Sequence, residues 1–183
     1  MSAQKMFQRF LLILLPLTLL LGSTSAFAGY HKNPGKSVTL INAKGQNTGT
    51  ATIKESKEGG VNIHLVVSGL TPGEHAVHFH QTPSCTAPDF KSAGGHFNPT
   101  AAHHGLDNPA GPHAGDMPNF TVSADGTADV MVSDPRVTLQ PGAPNSLFAN
   151  GGTALMIHAK ADDNKSDPAG NAGERVACGV IVP

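Results

Sequence analysis

The chain of 183 residues has no tryptophan, one tyrosine and only two cysteines, and just 14% of its side chains are charged. Each scarcity excludes something. Two cysteines cannot build a disulfide-dense mini-protein or a four-thiolate zinc site. With so few charges and no sign in excess, a basic nucleic-acid-binding surface is excluded. Past residue 21 there is no apolar run long enough to cross a bilayer as a helix. Nor does any later stretch show the 3.6-residue periodicity of an amphipathic helix.

The one sustained apolar run lies at the start. Lys5 and Arg9 precede residues 11–21, and Ala26-Phe27-Ala28 supplies small residues at the spacing of a cleavage site. These are the three parts of a secretory signal peptide, predicted over 1–28. Its removal leaves a domain of 155 residues, 29–183, with ten basic and thirteen acidic side chains and a net charge of −3. That length suits a single domain able to bury a core. Residues 29–36 read as a flexible N-terminal extension. The expected location is outside the cytoplasm: periplasm, cell envelope or exterior, with no stable membrane association after cleavage. In such an oxidising compartment Cys85 and Cys178 read as one disulfide.

The apolar residues of 29–183 come in short runs with two-residue alternation. Val61, Ile63, Leu65 and Val67 share one face, with Asn62 and His64 on the other. Strands are predicted at 37–42, 49–55, 61–67, 74–80, 120–123, 128–132, 154–160 and 176–182. Asp125-Gly126 is a hairpin signal. About eight short strands separated by Gly and Pro turns predict an all-β fold, a Greek-key antiparallel sandwich or flattened barrel. Two loops break the rhythm, 81–119 and 161–174. Seven of the ten histidines fall between His75 and His113, and a long loop in a compact domain is usually functional or disordered. Such clustering points to a loop ordered by metal.

His96, His104, His113 and Asp116 form the pattern H-x7-H-x8-H-x2-D. Three imidazoles and a carboxylate are a complete tetrahedral set for zinc. His78 and His80, two apart in Glu74-His75-Ala76-Val77-His78-Phe79-His80, fall on one face of a strand and can ligate one ion together. His158 lies far downstream. His64 and His75 stand outside this pattern and read as structural, and the spacing favours His104 over its neighbour His103 as a ligand.

Together the blocks Gly69-Leu70 through His80, Gly94-Gly95-His96-Phe97-Asn98-Pro99, His113-Ala114-Gly115-Asp116, His158 to Asp162 and Gly173-Glu174-Arg175-Val176-Ala177-Cys178-Gly179-Val180 resemble the copper,zinc superoxide dismutases of the bacterial exported type. The resemblance spans essentially all of 29–183. It implies that His78, His80, His96 and His158 bind copper and that His96, His104, His113 and Asp116 bind zinc, with His96 shared. It makes Asp162 the carboxylate linking a copper ligand to a zinc ligand, Cys85 and Cys178 the intrasubunit disulfide, and Arg175 the cation that receives superoxide. The implied chemistry is dismutation of superoxide to oxygen and hydrogen peroxide by alternate reduction and oxidation of copper, with zinc as structural partner. A homodimer of bacterial type and a monomer both fit.

Some features depart from the common family pattern. Thr86-Ala87-Pro88-Asp89-Phe90-Lys91 lengthens the loop before His96, and 161–174 is short, so Lys160 or Lys165 would have to replace the usual steering lysines. Ala76 stands where glycine is usual. A non-catalytic copper- or zinc-buffering protein on the same fold is the alternative, since fold alone does not fix function. Cleavage after Ala28 would also expose Gly29-Tyr30-His31, whose amine and His31 can hold Cu(II) or Ni(II) in square-planar nitrogen geometry.

Overall fold

The computed structural model describes residues 35–183. The signal segment and the Gly29/His31 site lie outside them, as do residues 29–34 of the expected extension, whose last residue, Lys36, opens the first strand. Nine strands follow in order: β1 (Lys36–Asn42), β2 (Asn47–Glu55), β3 (Val61–Val67), β4 (Gly73–His75), β5 (Val77–His80), β6 (Phe120–Val122), β7 (Ala128–Asp134), β8 (Thr153–His158) and β9 (Arg175–Ile181). Seven form one curled antiparallel sheet, a half-barrel, in the order β5-β8-β9-β1-β2-β3-β7, and β4 pairs with β6 in a second small sheet. The all-β, antiparallel expectation holds.

Alternation explains which faces meet. In β3 the residues Val61, Ile63, Leu65 and Val67 are buried while His64 and Val66 are exposed, and they join Val38, Leu40, Ile53, Val77, Phe79, Leu155 and Ile157 in one core. β5 and β8 are buried on both faces. Val77 and Phe79 enter the core, and the opposite face is covered by the long loop, where Phe90 and Ala93 pack on Ala154, Met156 and Cys178.

Two expectations need correction. The segment predicted as one strand over 74–80 breaks at Ala76, so that β4 joins the small sheet and β5 the large one. Ala76 is fully buried; its N–H donates to the carbonyl of Lys160 and its carbonyl accepts from the N–H of His158, each at 2.9 Å. Those bonds tie the break to the end of β8. The Asp125-Gly126 turn does form, with the Ser123 carbonyl accepting from the Gly126 N–H at 2.9 Å. It carries the chain from β6 to β7, which lie in different sheets, so it does not close a two-stranded hairpin. Local turn chemistry specifies a reversal but not which strands pair after it.

Candidate metal centre

The outer face of β5, β8 and β9 collects polar side chains from three distant segments. His78 pairs with Met156 and His80 with Ala154 across β5 and β8, so by alternation His158 shares their face. The β8–β9 register shifts at Ile157/His158, placing His158 opposite Arg175. A bulge of this kind re-aims a side chain; here it brings Arg175 beside His158. Cys178, on the same strand as Arg175, is joined to Cys85 of the loop by a disulfide.

β5 is a sheet edge, and the loop uses its free backbone groups. The Phe79 N–H donates to Gly115 and the Phe79 carbonyl accepts from Phe97, at 2.9 and 2.7 Å. Short bridges thereby pair His80 with His96 and His78 with Asp116. Gly115 has to be glycine because a Cβ there would run into the Phe79 carbonyl.

Two clusters of buried ligand atoms result, His78, His80, His96, His158 and His96, His104, His113, Asp116, each spanning no more than 4.8 Å. In the first, His78 Nδ1 and the Nε2 atoms of His80, His96 and His158 are buried with no hydrogen-bond partner among the described residues. Every other nitrogen of these rings is engaged: His78 Nε2 with Asp162 Oδ2 at 2.8 Å, His80 Nδ1 with the Gly94 carbonyl at 2.9 Å, His158 Nδ1 with the Gly173 carbonyl at 3.4 Å and His96 Nδ1 with Asp116 Oδ1 at 2.8 Å. Buried polar atoms are rarely left unpaired. Four converging lone pairs, each backed by a partner on the far side of its ring, are what a metal requires of histidine.

The second cluster centres on Asp116. Asp116 Oδ1 lies 2.8 Å from His96 Nδ1 and 3.2 Å from the Nδ1 atoms of His104 and His113, and the δ-nitrogens of His113 and His96 are 3.4 Å apart. Ligands about 2.0 Å from a tetrahedral zinc stand about 3.3 Å from one another. His96 faces both clusters, Nε2 to the first and Nδ1 to the second.

Asp162 joins them as well. Its Oδ2 meets His78 and its Oδ1 meets His104 Nε2 at 3.0 Å. Asn119 clamps the Asp162 backbone with two bonds of 2.8 and 2.9 Å, and a Cβ at Gly170 would strike both Asp162 and His104. Arg175 donates to the carbonyls of Phe90 and Gly94 at 2.8 and 2.7 Å, so the Gly94 carbonyl ties it to His80. With Lys44, Asp89, Lys91 and Glu174 it lines an open groove of about 800 Å³. Lys160 and Lys165 are exposed on the loop that carries Asp162.

The remaining histidines lie outside both clusters. His103 points outward and pairs with Asp167, whose other oxygen accepts from the His104 backbone N–H at 2.6 Å. His75 is buried, with its ring nitrogens 2.7 Å from the carbonyls of His158 and Thr71. His64 meets Asp129 at 2.6 Å on an exposed face. The sequence reading missed Asn119, Asp167, Asp134 and Arg136, all of which act on the ligands or their neighbours. Only the position of Asn119, three residues after Asp116, could have signalled one of them.

Proton affinities follow the same geometry. Burial, then the neighbouring imidazoles, lowers His96 to about 4 and His158 to about 3, and burial with His96 holds His80 well below its ordinary value. Burial opposes protonation of His104 too, yet hydrogen bonds to Asp116 and Asp162 raise it to about 9. Burial would raise Asp116, but bonds from His104, His113 and His96 keep it far below the carboxylate range. The metal-free protein therefore has a two-sided pH dependence. His80, His96 and His158 are neutral when folded and protonate below 6.5 when unfolded, so their part in stability is lost as pH falls from 6.5 towards 3. Asp134, raised to about 7 by burial, opposes them with one proton against three. His104 contributes stability below 6.5 that is lost as pH rises through about 9. Thermal melts of the chelator-treated protein should show maximal stability near pH 6.5; a midpoint still rising from pH 7 to 9 would contradict the His104 assignment.

The copper/zinc superoxide dismutase (SODC) family model matches residues 47–181. The chain is 54% identical over 143 residues to the copper-zinc superoxide dismutase 1 of Aquifex aeolicus, covering 78% of this chain and 84% of that protein. Among solved structures, a superoxide dismutase-like protein from Bacillus subtilis matches with TM-score 0.78 at 42% identity, over 81% of this chain and 99% of that one. The copper/zinc superoxide dismutase of Brucella abortus matches with TM-score 0.67 at 32% identity, over 80% and 99%.

Proposed function

Because the chain belongs to the copper/zinc superoxide dismutase family, we propose that it converts superoxide to oxygen and hydrogen peroxide, with His78, His80, His96 and His158 holding copper and His96, His104, His113 and Asp116 holding zinc. The observation that carries this assignment is the set of four partnerless, buried ring nitrogens with His96 facing both clusters. Bound copper supplies the one-electron couple that the reaction needs, while zinc is redox-silent. The protein's own groups do the rest. Arg175 presents a fixed, partly buried guanidinium beside His158, where a small anion is attracted and hydrogen-bonded. His96 Nε2 is the ring atom placed to hold a proton at the reacting face, its other nitrogen turned to Asp116. Asp162 orients His78 and His104 at once, and such partners fix ligand direction and basicity.

A store of metal has no need of a cation at the mouth of the site, so Arg175 favours turnover over buffering. The Cys85–Cys178 disulfide suits an oxidising compartment, which supports export. The test is reconstitution of the protein with copper and zinc, followed by measurement of superoxide decay against the metal-free form. Metal-dependent acceleration is expected, and Arg175→Glu should keep copper while slowing decay by about tenfold or more, the scale of electrostatic guidance. No acceleration would overturn the enzymatic reading; full activity in Arg175→Glu would overturn the role of the arginine.

A further inference from the structure

Asp116 is gripped from a side that neither cluster accounts for. Asp134, at the end of β7, and Arg136 form an ion pair in which Arg136 Nη2 lies 3.0 Å from Asp134 Oδ1. The same Nη2 donates to the backbone carbonyl of Asp116. Asp134 is fully buried, its Oδ1 also accepts from the Arg136 backbone N–H at 3.0 Å, and Asn145 Nδ2 donates to the Arg136 carbonyl at 2.7 Å. The pair is nonetheless poorly satisfied. Asp134 Oδ2 and Arg136 Nε are buried with no hydrogen-bond partner among the described residues.

Asp134 is buried and Arg136 only partly so, and taking a carboxylate out of water costs more than its attraction to a cation returns unless the remaining donors and acceptors are paired. An incompletely paired contact of this kind is therefore a poor device for stability, and such departures concentrate where function requires them. Here the pair completes the restraint of one residue. Asp116 Oδ1 faces three imidazoles, and Oδ2 accepts from the N–H groups of Gly105 and His113, both at 2.9 Å. Those side-chain contacts come from the loop itself. The Asp116 backbone is also bridged to His78 on the β5 edge, and Arg136 adds a second tie from just past the end of β7, a strand registered against β3 along its whole length, with Asp134 opposite Val61.

We propose that Arg136, held by Asp134, is a positioning residue that anchors the Asp116 main chain to the β-sheet and so sets the zinc-binding geometry. This rests on Asp116 being a zinc ligand. The anchor matters because Asp116 Oδ1 is already 2.8 to 3.2 Å from the δ-nitrogens of His96, His104 and His113, and a shift of a few tenths of an ångström in the Asp116 backbone would open the tetrahedron. Arg136 forms a bridge that lysine, as a point charge, reproduces poorly.

The experiment uses the full protein loaded with copper and zinc, with zinc affinity measured by competition with a chromophoric chelator. Arg136→Met should weaken zinc binding by about 10- to 100-fold, the range for residues that orient ligands, with copper affinity changed less than about twofold. Arg136→Lys should fall between, and its cobalt-substituted form should show shifted visible bands, which a merely structural role would not produce. Unchanged zinc affinity and cobalt spectrum, or equal losses of copper and zinc, would overturn the proposal. Should Arg136→Met not fold, Arg136→Lys decides by the same criteria. Asp116→Ala separates the two levels: if it too binds zinc normally, the ligand assignment fails and the proposal with it. A large loss there beside a normal Arg136→Met refutes the proposal alone.

Discussion

His96→Ala is expected to cut both zinc affinity and superoxide turnover by more than about a hundredfold, beyond the 10- to 100-fold cost of losing a residue that only orients a ligand. Among the described residues no other side chain belongs to both clusters. Its loss leaves three ligands in each, and it also frees Asp116 Oδ1 of its closest imidazole, at 2.8 Å. Compensation is poor because His96 is placed by backbone pairing with His80 on the sheet edge, and no neighbouring histidine can reach both clusters from there. Metal content after dialysis and superoxide decay would be measured together. Zinc retained at full occupancy with unimpaired turnover would remove His96 from the centre of the site. His64→Ala, on the exposed face of β3, is the matched control and should change neither quantity.

Replacing Cys85 and Cys178 with serine is expected to destabilise the protein by about 4 to 5 kcal/mol, because the bond closes a loop of 93 residues in the unfolded chain. For a chain of this size that corresponds to a fall of roughly 10 to 20 °C in melting temperature. Activity should fall as well, for a separate reason. The bond ties residue 85, at the start of the loop, to the strand that begins with Arg175, and the same loop supplies the Phe90 and Gly94 carbonyls that hold the guanidinium. Loosening it frees Arg175 while His78, His80 and His158, carried by β5 and β8, keep their places and His96 stays paired with His80 on the β5 edge. The variant should therefore bind copper nearly normally yet turn over superoxide more slowly. A melting temperature within a few degrees of the parent would contradict the chain-entropy argument, and unchanged turnover would contradict the loop argument.

Much of this was legible in residue order. The period of two in Val61 to Val67 located a strand and named its buried face. The same period separated Val77 and Phe79 from His78 and His80, the first pair for the core and the second for metal. Elsewhere local pattern was insufficient. Nothing in Glu74 to His80 announces that the chain changes sheets at Ala76, since that break is specified by hydrogen bonds to Lys160 and His158, more than eighty residues away. Asp125-Gly126 likewise encodes a turn but not the partners of the strands around it.

By itself, the order of residues determined the strand alternation, the ligand types and spacing, and the pairing of the only two cysteines, because each depends on chemistry within a few residues or on simple counting. The tertiary structure alone decided that the loop covers the β5 edge, that a bulge sets Arg175 beside His158, that His103 turns outward while His104 turns in, and that Arg136 grips Asp116 from just past β7. Each of those is a contact between segments far apart in the chain. Its energy exists only once both have been carried to the same place by the folding of everything between them.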